Sequence, residues 1–238
     1  MPVTGLPAPG RELEGQVALV TGGAKNIGRA ISLALAAAGA SVAINTLASR
    51  DAAEAVAGEI RAAGGDADVF LADIADESAV RAMGDAVMKR FGKVDILVLN
   101  ASQRREVLFK DMTFEQWRNT MSITLDGSFH CIKACLPSML ANHGGNIITL
   151  AGDSVLFGGN RKSHNTTAKS GLVGLTRALA KELAADGIRV NCVSPGSINT
   201  ERPAHRSARA DPKGTIPLGR TGEPEEIAAA VRFLCGPG

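Results

Sequence analysis

The sequence contains no tyrosine at any of its 238 positions, and this absence excludes chemistry that depends on a phenol hydroxyl. It also lacks an excess of either charge, because 26 lysines and arginines face 24 aspartates and glutamates, for a formal net charge of +2. Such a balance indicates neither nucleic acid nor an anionic membrane as a partner. No apolar run approaches the roughly 20 residues that span a bilayer, and the N-terminus has no signal-peptide pattern, so we expect a cytoplasmic protein.

Cysteine is also scarce, with Cys131, Cys135, Cys192 and Cys235 as the only four. This number does not form a disulfide framework in a chain of this length. Cys131 and Cys135 lie one helical turn apart beside His130, which could begin a metal site, but no second pair of ligands follows at a suitable spacing. We therefore predict buried apolar thiols and no metal site.

Length and composition favour one domain. A chain of 238 residues can form one large α/β domain or two small ones, and no break in composition favours two. Residues 1–14 contain three prolines and two glycines, which predicts a loose N-terminal arm. We expect residues 15–238 to form the folded domain.

Strand-like and helix-like segments alternate through this domain. The strand-like runs are short and apolar, and they cover residues 16–20, 40–45, 67–72, 94–100, 145–150 and 188–193. The segments with apolar residues at helical spacing cover residues 29–38, 51–63, 77–91, 113–142 and 165–186. This alternation predicts an α/β fold with a doubly wound parallel sheet. Ligands of such sheets bind beyond the carboxyl ends of the strands, where the strand order reverses.

A glycine-rich turn, TGGAKNIG at residues 21–28, links the first strand-like run to the first helix. Glycines let the backbone approach a pyrophosphate, and the N-terminus of the following helix attracts its charge. The pattern predicts the front half of a dinucleotide-binding unit. An ordinary glycine-rich connection between a strand and a helix is the alternative.

The spacing of this turn resembles the T-G-x-x-x-G-x-G turn of the short-chain dehydrogenase/reductase family, with Asn26 where the middle glycine usually stands. Asparagine tolerates a positive φ, so we expect the turn to be kept. Two more segments resemble the family: LNAS at residues 99–102 and NCVSPGSINT at residues 191–200. The resemblance covers residues 16 to about 236 and implies a single Rossmann-like domain that binds a nicotinamide dinucleotide. It also implies one more strand with a glycine-rich tail, which would follow residue 236.

The resemblance implies a set of cofactor-binding residues. They are Gly22, Lys25, Asn26, Ile27, Gly28, Asn45, Ser49, Arg50, Asp73, Ile74, Asn100, Ala101, Ser102, Lys169, Pro195, Gly196, Ile198 and Thr200. Asp73 and Ile74 match by position the place where the family contacts the adenine ring, although an aspartate after a strand is also a common helix cap.

The end of the second strand-like run favours NADP over NAD. A carboxylate normally stands there to hold the ribose hydroxyls of NAD, but residues 44–50 read INTLASR and contain no acid. A 2′-phosphate would meet no repulsion, and Ser49, Arg50 and Lys25 could bind it. The alternative is that Arg50 and Lys25 are solvated surface charges.

The catalytic positions depart from the family pattern. The resemblance implies a tyrosine that donates a proton, a lysine four residues later, a serine and an asparagine, and here only Lys169 is kept. Asn165 stands in the place of the tyrosine, Gly152 in that of the serine and Thr124 in that of the asparagine. An amide cannot deliver a proton near neutral pH, so carbonyl reduction with the family's usual residues is excluded.

Other groups near these positions are candidates for assistance. Ser154 and Asp153 could supply a displaced hydroxyl or acid, with a polar loop as the alternative. His164 titrates near neutrality, but it lies about 100° around the helix from Asn165, and a capping or surface histidine is the alternative. The sequence H-x-x-x-A-K without tyrosine resembles the 2,4-dienoyl-CoA reductase branch of the family, in which water could deliver the proton.

Two classes of function stay open. In the first, the protein is an NADPH-dependent oxidoreductase that reduces an enoyl or carbonyl compound, with Lys169 holding the ribose and Thr124, Ser154 or His164 assisting at the substrate. In the second, it is a catalytically silent relative that binds the nucleotide or only a partner subunit. The intact cofactor segments favour the first class, and the substituted catalytic positions favour the second.

Two expectations concern the surroundings of the site. Residues 103–106, QRRE, could face a substrate carboxylate or phosphate or form a solvated loop, and residues 201–216 lie where the family places a substrate lid. The resemblance also implies a homodimer or homotetramer, because the family's long helices, here residues 113–142 and 165–186, commonly pair between subunits.

Overall fold

The computed structural model describes residues 10–201 and 216–237 and has a six-stranded parallel sheet. The strands are β1 (Val17–Val20), β2 (Ser41–Thr46), β3 (Ala67–Leu71), β4 (Ile96–Leu99), β5 (Gly145–Leu150) and β6 (Ile188–Val193). Their order is β3-β2-β1-β4-β5-β6. The order reverses between β1 and β4, which places a crevice at the carboxyl ends of these two strands.

Helices cover both faces of the sheet. The described helices are α1 (Asn26–Ala37), α2 (Arg50–Ala62), α3 (Glu77–Phe91), α4 (Phe114–Met121), α5 (Gly127–Ala141), α6 (Ser154–Phe157), α7 (Ser163–Glu182) and α8 (Pro224–Cys235). Side chains of alternate strand residues enter two separate cores, so that Leu19 packs on one face of the sheet while Ala18 and Val20 pack on the other. The predicted single α/β domain with a doubly wound sheet is confirmed.

The helix predicted over residues 113–142 is interrupted. A π-helical turn, Ser122–Asp126, separates α4 from α5. Gly127, the first residue of α5, lies against the loop that follows β3. A Cβ added to Gly127 would be 2.9 Å from the Ile74 carbonyl oxygen. The helix therefore contacts this loop closely at the point where the π-helical hydrogen bonds give way to α-helical ones.

The last helix and the N-terminal residues pack together. Leu13 is fully buried, and Arg232 of α8 donates to Glu12 at 2.5 and 2.9 Å. Residues 1–9 of the predicted arm lie outside the described part of the chain. The prediction of a loose arm is wrong at Leu13, because this residue is buried. Helix α8 was not predicted, although Pro224 at its first turn and the reciprocal bonds of Glu223 and Glu226 form a recognisable start signal.

Three of the four cysteines are buried, as predicted, and Cys192 is half-buried. Burial raises the pKa of the Cys131 thiol of α5 to about 12. Within the described residues, no group of three or more histidine, cysteine or acidic side chains could hold a metal ion. None of the helices described is both long enough and apolar enough to cross a bilayer.

Candidate functional site

The glycine-rich turn brings the backbone of β1 into close contact with the start of α1. Gly22 and Asn26 both have positive φ, 61° and 50°, so the predicted conformation of Asn26 is confirmed. A Cβ at Gly28 would lie 2.1 Å from the Gly22 carbonyl oxygen, closer than any side chain permits. No side chain caps α1, and its first turn contains no acid. The helix N-terminus therefore offers its partial positive charge to an anion.

A cluster of hydrogen bonds fixes this turn to the end of β4. The Thr21 hydroxyl donates to the Val98 carbonyl at 3.2 Å and accepts from the backbone N–H groups of Asn100 and Ala101 at 3.0 and 3.1 Å. The Asn100 amide donates to the carbonyls of Thr21 and Gly22, both at 3.1 Å. Asn100 therefore shapes the turn rather than presenting its amide nitrogen to a ligand.

A cavity of about 570 Å³ opens above the turn, at the crevice where the strand order reverses. Twelve of the predicted cofactor-binding residues line it: Gly22, Lys25, Asn26, Ile27, Gly28, Asn45, Asp73, Ile74, Asn100, Ala101, Ser102 and Thr200. We call it the first cavity. Its size lies within the range of small-molecule sites, and it brings together segments that are distant in the sequence.

The end of β2 forms the part of the first cavity where NAD and NADP would differ. Asn45 is buried, and its amide donates to the carbonyls of Phe70 and Ala72 at 3.3 and 3.2 Å. Ser49 and Arg50 do not line the cavity. Arg50 is 57% exposed and lies 3.8 Å from Glu54 on its own helix. Of the two cations predicted to bind the 2′-phosphate, Lys25 lines the cavity and Arg50 does not.

A smaller cavity of about 130 Å³ adjoins the first. The two share Ile27, Arg104, Arg105 and Thr200. Six more of the predicted site residues gather here, and they are Ser154, Asn165, Lys169, Pro195, Gly196 and Ile198. We call it the second cavity, and Gly152, which stands at the predicted serine position, also lines it.

Lys169 is the most perturbed ionisable group in the second cavity. It is buried, and its ammonium donates to the Leu150 carbonyl at 2.5 Å. Burial and, to a lesser degree, the nearby positive charge of Arg104 lower the pKa of Lys169 to about 7, while Cys192 acts in the opposite direction. Lys169 therefore changes its protonation state near neutral pH, which ordinary lysines do not.

Asn165 ties α7 to the loop that follows β4. Its amide donates to the Gln103 carbonyl at 2.9 Å, while the Gln103 side chain accepts from Asn119 at 3.2 Å. Lys169 and Asn165 lie four residues apart on one face of α7, as their spacing predicts. The amide nitrogen of Asn165 thus has a structural partner at the edge of the cavity.

Thr124 and His164 line neither cavity. Within the described part of the chain, the buried Thr124 hydroxyl of the π-helical turn has no hydrogen-bond partner, and the Thr124 carbonyl accepts from Ser128 at 2.7 Å. His164 is only 1% exposed, and burial lowers its pKa. Neither of these two predicted catalytic residues lines the cavity that contains Lys169.

Two contributors to the site had not been singled out from the sequence. Lys162, just before α7, lines the second cavity, and nothing in its sequence context distinguishes it from a solvated lysine. Glu201 lines the first cavity, and its backbone N–H donates to the side-chain oxygen of Asn26 at 2.8 Å, a contact that glycine could not make. Residues 202–215 of the predicted lid lie outside the described part of the chain.

Comparisons with known proteins agree with this geometry. A family model described as enoyl-(acyl carrier protein) reductase matches residues 22–238. A 3-oxoacyl-(acyl-carrier-protein) reductase from Synechocystis is 39% identical over 222 residues, which cover 93% of this chain and 90% of that protein. A reductase of the same name from Thermotoga maritima is 33% identical over 224 residues, covering 93% of this chain and 91% of that protein.

Solved structures show the same fold. A short-chain dehydrogenase from Burkholderia cenocepacia in complex with NADP has a TM-score of 0.87 at 35% identity, covering 95% of this chain and 92% of that one. A dehydrogenase/reductase from Sinorhizobium meliloti also has a TM-score of 0.87, at 32% identity, with coverage of 96% and 90%. On this similarity over nearly its whole length, the chain belongs to the short-chain dehydrogenase/reductase family.

Proposed function

We propose that this protein is an NADP(H)-dependent oxidoreductase that interconverts a carbonyl compound and the corresponding alcohol. The observation that carries the proposal is the junction of the two cavities: the first ends in an uncapped helix N-terminus, and the second contains the buried Lys169. The relatives named as 3-oxoacyl-(acyl-carrier-protein) reductases and the NADP complex of the Burkholderia protein support this choice.

The residues of the first cavity fit a dinucleotide phosphate. The tight approach at Gly28 leaves the backbone of the turn open to a pyrophosphate, and no acid of the turn or of the first turn of α1 repels it. The wall at the end of β2 has Asn45, Thr46 and Leu47 in place of a carboxylate, and Lys25 stands close by. These features favour NADP over NAD. When bound, NADPH supplies a hydride, with its electron pair, to the carbonyl carbon.

The second cavity provides the groups that act on the oxygen. Lys169, oriented by the Leu150 carbonyl, is available to a ribose hydroxyl or to the substrate oxygen, and its pKa of about 7 allows it to release and regain a proton near neutrality. Ser154 is buried and lines the same cavity, where its hydroxyl can hold the carbonyl oxygen. Asn165 orients the neighbouring loop and donates no proton to the reaction.

Titration calorimetry with NADPH and NADH, followed by turnover of acetoacetyl-CoA, tests this proposal. We expect NADPH to bind more tightly than NADH, and Lys169→Met to lose at least 10-fold in turnover at saturating NADPH. The control is Lys181→Met, which changes an exposed lysine on the same helix. Binding of NADPH without turnover of any carbonyl or enoyl compound would instead favour a catalytically silent relative.

We also propose that the protein forms a homodimer or homotetramer through its long helices. Large apolar side chains are exposed on two of the helices concerned, with Phe114 of α4 and Phe129 of α5 at 76% and 52% exposure. Such side chains are costly to leave in water and favour burial against a second copy. Sedimentation equilibrium at micromolar concentration should give a dimer or tetramer, and a monomer would contradict the proposal.

A further inference from the structure

Two backbone contacts fix the loop of residues 103–107 at the edge of the second cavity. The Asn165 amide donates to the carbonyl of Gln103 at 2.9 Å, and the backbone N–H of Val107 donates to the carbonyl of Arg161 at 2.9 Å. Arg104 and Arg105 lie between these two points. They line the cavity from a loop that is anchored at both ends, so their positions depend on the fold and not on a freely moving segment.

The walls of the second cavity have an excess of positive charge. Among the described residues that line it, four can be cationic, Arg104, Arg105, Lys162 and Lys169, against the two carboxylates of Glu106 and Asp153. Lys169 is only partly protonated near neutral pH because its pKa is lowered to about 7, but the other three cations still outnumber the two carboxylates. Arg104 already acts on Lys169 by lowering its pKa. The positive charges of Arg104 and Lys169 repel each other, and an anion bound among the cations of the cavity would relieve this repulsion.

The same cavity has few apolar side chains to offer. Among its described lining residues, Ile27 and Ile198 are the only large aliphatic groups, and none is aromatic. A long acyl chain needs apolar surface, whereas a carboxylate or phosphate needs cationic hydrogen-bond donors. The described lining therefore matches a small anionic compound better than an acyl chain.

Resting on the proposed function, we infer that the substrate is itself a small anion, an oxo acid or a phosphorylated carbonyl compound, whose anionic group binds between Arg105 and Lys162 in the second cavity. Arg105 has a planar guanidinium that can pair with two oxygens of one group, and Lys162, which lines the same cavity, adds a point charge. The carbonyl then lies toward Lys169. Hydride addition at carbon and a proton at oxygen convert the oxo acid to a hydroxy acid as NADPH becomes NADP⁺.

The inference is tested first with matched pairs of compounds. Acetoacetate is compared with its neutral methyl ester, and dihydroxyacetone phosphate with dihydroxyacetone, at saturating NADPH. We expect the anionic member of at least one pair to have the higher kcat/KM by 10-fold or more. Preference for the acid identifies a carboxylate site, and preference for the phosphorylated compound identifies a phosphate site. Equal use of both members in each pair would overturn the inference.

Variants then separate the substrate from the phosphates of the nucleotide. Arg105→Gln and Lys162→Gln should each raise KM for the preferred anion by about 10- to 100-fold and leave the neutral member of its pair unaffected. Lys162 lines only the second cavity, so Lys162→Gln should also leave the Kd for NADPH unchanged. Arg118→Gln is the control, since Arg118 is exposed on α4 and lines neither cavity. Loss of NADPH affinity without a change for the anion would show that these cations serve the nucleotide, against the inference.

Calorimetry distinguishes failure of this inference from failure of the proposed function. Each anion is titrated into the protein with and without NADP⁺. Saturable binding that disappears in the Arg105→Gln/Lys162→Gln double variant supports the anion site even if no compound is turned over. If NADPH binds and neutral carbonyl compounds react but none of the anions binds, the proposed function stands and the anion site is refuted.

Discussion

The two cavities differ in the kind of group that shapes them. The first cavity is shaped by backbone, through the positive φ of Gly22 and Asn26, the close approach at Gly28 and the bonds that Asn100 makes to the turn. The second cavity is shaped by charged side chains that come from three distant segments of the chain. Backbone geometry of the first kind tolerates little change, whereas the second kind can be altered one side chain at a time. The difference explains why the family likeness is strong at one end of the site and weak at the other.

The largest effect is expected at the backbone-built cavity. Gly28→Ala places a Cβ 2.1 Å from the Gly22 carbonyl oxygen, and relief of this overlap must displace α1 from the turn at a cost of about 1–3 kcal/mol or more. We expect NADPH affinity to fall on the order of 100-fold in calorimetry. Gly58→Ala is the matched control, because a Cβ at Gly58 in α2 meets no atom within 4 Å and should stabilise the helix. Normal NADPH binding by Gly28→Ala would remove the distinction between the two cavities.

The next effect concerns the charge buried in the second cavity. The pKa of Lys169 is lowered to about 7 in the folded protein, from its ordinary value near 10.4, so between these values the unfolded chain binds more protons. Stability should therefore rise with pH across this window, with a slope of at most about 1.4 kcal/mol per pH unit from this group. In Lys169→Met that part of the rise should vanish. Urea unfolding at pH 7, 8 and 9 measures it, and identical slopes for the two proteins would show that Lys169 is not desolvated.

A smaller effect is expected from the loop anchor. Asn165→Ala removes the bond to the Gln103 carbonyl and leaves every charge of the second cavity in place. Because the arginines of the loop lose a fixed position, KM for the preferred anion should rise about 5- to 10-fold with little change in kcat.

Two further variants test Asn165 as a positioning residue. Asn165→Leu has a similar size, no N–H donor and no charge, so it should behave like Asn165→Ala. Thr167→Ala, at an exposed position of α7, should leave KM unchanged. A fall in kcat at constant KM would assign Asn165 to the reacting atoms instead.

The last effect distinguishes the two cations that the sequence offers for the 2′-phosphate. Lys25 lines the first cavity, whereas Arg50 lies beside Glu54 outside it. Lys25→Gln should weaken NADPH binding by about 10-fold without changing NADH binding, since a charge-assisted hydrogen bond contributes about 1.5 kcal/mol. Arg50→Gln should leave both nucleotides unaffected. Weaker NADPH binding in Arg50→Gln, with none in Lys25→Gln, would show that Arg50 and not Lys25 binds the 2′-phosphate.

The sequence predicted the fold well because its signals are local. Short apolar runs, amphipathic segments and the turn of residues 21–28 each depend on neighbours in the chain, and the doubly wound parallel sheet and the positive φ of Asn26 followed from them. The interruption of the helix at Ser122–Asp126 was missed, since it arises where Gly127 meets Ile74 across the fold. No periodicity in the sequence records such a contact.

The candidate site likewise has features that the sequence predicted and features that depend on the tertiary structure. The sequence by itself determined that no phenol is present, that Lys169 and Asn165 share a helical face, and that the glycine turn can receive a dinucleotide. Only the tertiary structure decided that His164 points into the core, that Arg50 lies off the cavity, and that Lys162 joins Arg105 around one small space. The reason is physical: burial, desolvation and the meeting of charges depend on distances between segments that folding alone brings together.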